Sequence, residues 1–289
     1  MGRKKAGNRR TIRWLIVLLP LALVAACALI DGPPGPPGGG SGAIAGASDT
    51  QRLGDIEYVE VAPPAGANRQ LLIFVHGTPG SLRAFRSYLT DPILRERFHM
   101  ISVTRVGWTA GAQSKEPSLE AQARALRPIL EMDRSGRGAI LMGHSYGGPV
   151  IARAAMDYTD LVGGLVFVAT TADPEMSGPR WYNYISFWWP EFLLGDRLMG
   201  ANDEIMAVQS QLKEMLPRWE NLTMPALIVQ GDEDTLVHPE NADFLQERLA
   251  NSRLLPRPGG DHFILWGDMP VIRDAIVETF AVPEDRGGS

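Results

Sequence analysis

Ser145, Asp234 and His262 are the residues of this 289-residue chain whose types, taken together, could break an acyl bond. A serine hydroxyl is a poor nucleophile near neutral pH until a base takes its proton. Imidazole titrates close to that pH, and a carboxylate on the far side of the ring fixes its tautomer and steadies the imidazolium. Ser145 stands in Gly143-His144-Ser145-Tyr146-Gly147, with Gly148 next. Glycines two positions before and after a serine clear the space where a chain doubles back from strand to helix, and the hydroxyl is left exposed at the tip. Asp234 lies in "GDEDT" and His262 in "GGDHF", so the order along the chain is serine, acid, histidine.

Each role has rivals. Asp232 and Glu233 adjoin Asp234, and Asp173 and Glu175 follow an earlier strand. His238 competes with His262 but precedes Pro239 at a helix start, while His76 and His144 read as residues that shape the site. His99 reads as a strand or surface residue and Asp261 as solvated.

The elements that must carry these residues are short apolar runs alternating with amphipathic stretches. Strands are expected at 56–62, 71–77, 99–104, 138–144, 164–170, 225–231 and 252–258, and helices at 118–132, 149–158, 239–250 and 269–280. Ser118 is a candidate N-cap, with Glu120 in the first turn. Strands rich in Val, Ile and Leu without alternation suit a sheet covered on both faces. Strand-helix alternation predicts an α/β fold, a mostly parallel doubly wound sheet. One interval, 172–224, far exceeds the dozen or so residues a parallel crossover needs. It holds Trp181, Trp188, Trp189 and Trp219, four of the seven tryptophans. It reads as an inserted helical pair with its own small core, as a cap over a pocket at the carboxyl ends of the strands, or as both.

Upstream, "FVHGTPG" places His76-Gly77-Thr78-Pro79-Gly80 after a strand, where a backbone N–H could face an oxyanion. With that loop, the serine elbow, the acid and the histidine in view, the chain resembles the α/β-hydrolase superfamily over about residues 52 to 281, in the branch with an HGxPG-type loop and a cap before the acid. The resemblance implies an α/β-hydrolase fold with a helical cap insertion. It makes Ser145 the nucleophile, His262 the general base and later acid, and Asp234 the residue that orients it. The backbone N–H groups of Thr78 and Tyr146 would form the oxyanion hole, and Trp108, Trp181, Trp188 and Trp189 would line the substrate pocket. No metal or organic cofactor is implied. The implied reaction is cleavage of a carboxyl ester of a small to medium apolar substrate through an acyl-enzyme. Hydrolysis of C–C bonds, peptidase action and perhydrolase chemistry use the same triad. A serine nucleophile argues against the dehalogenases and epoxide hydrolases of this fold, which use aspartate. A reading of another class is a tethered binding protein that keeps the fold without turnover. One departure from the family pattern stands in "SVTRVGWTAGA", where Thr104 and Thr109 replace an acid and a glycine of a D-R-x-G-x-G-like loop.

The N-terminal residues read as an address. Six basic residues fall in the first thirteen positions, no acid precedes Asp31, and an apolar run follows from Trp14. Val24-Ala25-Ala26-Cys27 resembles the lipobox of bacterial lipoproteins, which would leave Cys27 lipidated. An uncleaved single-span anchor and full release are the other fates of such a segment. Residues 1–27 are therefore a signal peptide or membrane anchor, 28–51 a Pro/Gly-rich tether, and 52–289 the hydrolase domain. All three fates export the body, so the expected location is the bacterial cell envelope. The first thirteen positions set aside, 22 basic residues face 33 acidic ones. A body so acidic is poorly matched to a phosphate backbone, which excludes nucleic acid as an expected partner and leaves a small molecule and the membrane.

Overall fold

Pairing of the apolar runs builds an eight-stranded sheet in the order β1-β2-β4-β3-β5-β6-β7-β8. The strands are β1 (Gln51–Leu53), β2 (Ile56–Val61), β3 (Leu71–Val75), β4 (His99–Thr104), β5 (Ala139–His144), β6 (Val162–Val168), β7 (Ala226–Gly231) and β8 (Ser252–Arg257). β1 and β2 are antiparallel to their neighbours and β4-β3-β5-β6-β7-β8 run parallel. The computed structural model describes residues 43–110, 112, 115–180, 183–184 and 191–281, with the backbone alone for 191–195. Cys27, most of the 28–51 tether, Trp181, Trp188 and Trp189 lie outside the described residues.

Helices cover both faces. In chain order they are α1 (Arg86–Thr90), α2 (Pro92–Arg97), α3 (Leu119–Leu130), α4 (Gly147–Asp157), α5 (Glu191–Met215), α6 (Glu240–Arg248), α7 (Ile264–Gly267) and α8 (Met269–Phe280). Successive strand residues point to opposite faces. Leu71, Ile73 and Val75 accordingly pack with α3, α4 and α6, whereas Leu72 and Phe74 pack with α1, α7 and α8. Each buried Leu, Ile, Val or Phe contributes about 1.5–3 kcal/mol of transfer free energy, so both layers are held to the sheet by the same apolar runs that the sequence displays. The expected N-cap of α3 is present, the Ser118 side chain accepting from the Ala121 N–H.

Three features differ from the sequence reading. Ile44 is 5% exposed and packs with Val59 and Val61, so the packed body starts earlier than the composition of 28–51 suggests. β1 has three exposed residues and exists through its pairing to β2, which gives it no apolar signal. Trp219 does not belong to a separate small core. It is fully buried in the main core, edge-on to Phe244 at 5.7 Å and 6.4 Å from Phe167.

Candidate active site

The order of the strands reverses between β4-β3 and β5, and the crevice of an open α/β sheet forms at such a point, beyond the carboxyl ends of the strands. β3 and β5 are neighbours there, so the loop after β3 (His76 to Gly80) meets the turn after β5 that carries Ser145. The turn is tight. Ser145 has φ +52°, its N–H donates to Val168 O, and its own carbonyl accepts from Gly148 N–H. A Cβ on Gly143 would lie 2.6 Å from Gly147 O, and one on Gly147 would lie 2.3 Å from Val75 O. Both contacts are with backbone that cannot swing aside, so only glycine lets the turn sit against β3.

Ser145, His262 and Asp234 converge. His262 Nε2 is 3.1 Å from Ser145 Oγ, and His262 Nδ1 is 2.8 Å from Asp234 Oδ2. Asp234 Oδ1 accepts from the N–H groups of Leu236 and Val237 at 2.9 and 2.8 Å, and Gln230 Nε2 donates to Oδ2. Burial pushes the Asp234 carboxyl up, but the hydrogen bond and charge of His262, with the two N–H donors, outweigh it, and the net shift is down. An ionised carboxylate only accepts, so Nδ1 carries the ring proton and the Nε2 lone pair faces the serine hydroxyl. In this arrangement Nε2 can take the Oγ proton.

Three of the four rival acids are engaged elsewhere. Asp173 accepts from the Glu175 N–H, Glu175 pairs with Lys213, and Asp232 accepts from the Gly259 N–H. His238 lies beside Arg180 at 3.4 Å. His99 opens β4 and meets Glu60 at 2.7 Å, and Asp261 is exposed. His76 and His144 are buried and neutral. For His76, burial and then the Arg105 charge hold the pKa well below the ordinary value; for His144, burial and then His262 hold it at about 3. Burial and the Glu204 charge raise the Tyr146 phenol, which stays protonated and donates to Pro117 O at 3.2 Å.

Residues 70–206 match the family model described as alpha/beta hydrolase fold. Among solved structures, the chain resembles a lipase candidate from Acinetobacter baumannii AYE at 18% identity and a TM-score of 0.62, covering 95% of this chain and 97% of that one. The fold is that of the α/β hydrolases. An enol-lactonase from Burkholderia xenovorans LB400 matches at 14% identity and a TM-score of 0.62, covering 80% of this chain and 99% of its own. A bacterial membrane phospholipase A matches at 15% identity and a TM-score of 0.56, covering 93% and 99%.

In this α/β-hydrolase fold a cavity opens beside Ser145, Tyr146, Thr78 and His262. Ile205 and Val208 of α5, with Leu236, Val237 and Met176, make most of its wall apolar. Neither the Thr78 N–H nor the Tyr146 N–H has a hydrogen-bond partner among the described residues, and both residues line this space. Arg180 lies on the wall and donates to the carbonyls of Thr235 and Leu236. Trp108, expected on the pocket wall, is instead 8% exposed with its indole N–H donating to Glu204 Oε1 at 2.9 Å. Among the described residues no group of three His, Cys, Asp or Glu could hold a metal ion, and no helix is long and apolar enough to cross a membrane. Sequence reasoning missed Arg105, Gln122 and Glu204, which are buried next to the His76–Gly80 loop. The available signal was a basic residue directly after the strand HMISVT.

Proposed function

We propose that this chain is a serine hydrolase that cleaves a carboxyl ester of a small to medium apolar substrate. One observation carries the reading: His262 reaches Ser145 Oγ with one nitrogen and Asp234 with the other. In the proposed turnover Ser145 Oγ attacks the ester carbonyl as its proton passes to His262 Nε2. The N–H groups of Thr78 and Tyr146 hold the oxyanion, each such donor being worth about 3–4 kcal/mol of barrier. As the C–O bond breaks, Nε2–H returns the proton to the leaving alcohol. Water then attacks the acyl-serine with His262 as base, releasing the acid and restoring the hydroxyl. The apolar wall favours an apolar acyl or alkyl group. The lipase, phospholipase and lactonase names among the similar structures all belong to oxygen-ester chemistry.

A fluorophosphonate probe tests this reading, with a panel of p-nitrophenyl esters of rising chain length beside it. Wild-type protein should label and turn over, and Ser145→Ala should do neither, its kcat falling on the order of 10⁶-fold. Pure, folded wild type that neither labels nor cleaves any ester would leave the tethered binder.

We infer further that the body is held at a bacterial envelope membrane through a lipidated Cys27, on the strength of the lipobox-like Val24 to Cys27 at the end of an apolar run. Radioactive palmitate should label wild type but not Cys27→Ser. Absence of label from wild type would leave the uncleaved anchor.

A further inference from the structure

We propose that Arg105 and Glu204 are positioning residues for the oxyanion hole, through which helix α5 fixes the direction of the Thr78 N–H. The inference rests on the serine-hydrolase reading and adds a device to it.

The argument starts from one peptide plane. The Gly77 carbonyl and the Thr78 N–H belong to the same trans peptide unit, so they point in opposite directions. Whatever pins the Gly77 oxygen on one side aims the Thr78 N–H to the other. Two donors pin that oxygen: Arg105 Nη2 at 3.0 Å and His76 Nδ1 at 2.7 Å. Arg105 also holds the residue before it, with Nε donating to His76 O and the backbone N–H to His76 Nε2, both at 3.0 Å. Ser145 stands beside the same unit, since a Cβ on Gly77 would lie 2.9 Å from Ser145 Cβ. Tyr146, the other proposed donor, has its ring 5.0 Å from the guanidinium.

Arg105 cannot do this alone. It is 1% exposed, and a buried cation needs a paired, hydrogen-bonded anion. That anion is Glu204 of α5, 0% exposed, which accepts in the bidentate manner that suits guanidinium: Oε1 from Nη1 at 2.6 Å and Oε2 from Nη2 at 3.0 Å. Glu204 Oε1 is fixed in turn by Trp108 Nε1 at 2.9 Å and Gln122 Nε2 at 3.0 Å, and Gln122 Oε1 accepts from Arg105 Nη1. The chain of contacts runs from α5 through one ion pair to the peptide that carries the oxyanion donor. α5 also supplies Ile205 to the substrate wall, immediately after Glu204, so the wall and the donor are registered to one helix.

The test is kinetic. Glu204→Gln keeps the shape and removes the charge. Loss of a whole oxyanion donor costs about 10²- to 10³-fold in kcat, so a loosened one should lower kcat about 10- to 100-fold. KM should move less than about threefold, and fluorophosphonate labelling should slow with kcat. The double variant Arg105→Met/Glu204→Leu removes both charges, a change that often leaves stability unharmed. It should unfold at a temperature close to wild type and stay slow. Several results overturn the proposal: Glu204→Gln with wild-type kcat, a double variant with kcat restored, or a double variant that does not fold, which would make the pair a support of the core. Ser145→Ala run alongside separates the two readings. Wild type without any turnover defeats the hydrolase; turnover that is indifferent to residue 204 defeats only the positioning role.

Discussion

The imidazoles of His144 and His262 lie 5.0 Å apart, centroid to centroid, and His144 Nε2 donates to the His262 carbonyl at 3.2 Å. One ring of the pair belongs to the proposed triad, and the other supports its backbone. Trp266 closes the far side of His144, edge-on at 5.2 Å. The support works because His144 stays uncharged: burial first, and His262 second, bring its pKa from 6.5 to about 3.

That depression has a sign. Between pH 6.5 and about 3 the unfolded chain binds a proton at His144 that the folded chain refuses. Stability from this group is complete above pH 6.5 and falls as the solution is acidified, by about 1.4 kcal/mol for each pH unit. His76, also shifted down, acts in the same direction. His144→Gln keeps a donor without the titration, so its urea midpoint should fall less between pH 7 and pH 5 than that of wild type. Parallel falls in the two proteins would refute the assignment.

Asp234→Asn should disable the base without disturbing the fold. The amide oxygen would be drawn to the N–H groups of Leu236 and Val237, which bond Asp234 Oδ1 at 2.9 and 2.8 Å. The amide nitrogen would then face His262 Nδ1 and force the ring proton onto Nε2, against the serine. A fall of about 10⁴-fold in kcat is expected, measured on whichever p-nitrophenyl ester the wild type turns over best. A loss under tenfold would remove Asp234 from the role. The carboxyl itself is shifted down, so its contribution to stability is present above the ordinary carboxylate range and is lost as pH falls through the folded value.

Gly147→Ala tests the elbow. The new methyl would press on Val75 O at 2.3 Å and His76 O at 2.9 Å, driving α4 away from β3. Overpacking of this kind costs about 1–3 kcal/mol, and the shift displaces Ser145, so melting temperature and kcat should fall together. Gly267→Ala, where an added Cβ meets nothing within 4 Å, is the control and should leave both unchanged.

What could be read from the sequence follows from how local each signal is. The elbow was legible because its reason, two glycines around one strand-to-helix turn, is contained in five residues. Asp234 and His262 were legible because each follows a strand on a short loop, and strand order carries both to the same edge of the sheet. Arg105 and Glu204 were not, because they are 99 residues apart and neither has a local reason to be buried. The resemblance implies Trp108 on the pocket wall, yet its N–H meets the Glu204 carboxylate, a partner that only the tertiary structure supplies. Trp219 misled similarly: it was counted with the tryptophans of the long interval, but it plugs the main core against Phe167 and Phe244.

The backbone of Ser145, at φ +52°, sets reactivity against durability. Outside glycine such a conformation costs on the order of 1–3 kcal/mol, and here the sheet and α4 enforce it. A Ser145→Gly chain, which lacks the proposed nucleophile, should therefore melt at a higher temperature than wild type. If it melts lower, the turn is relaxed and the serine is held there at no expense. If it melts higher, the hydroxyl is kept at residue 145 against the thermodynamic preference of the chain itself.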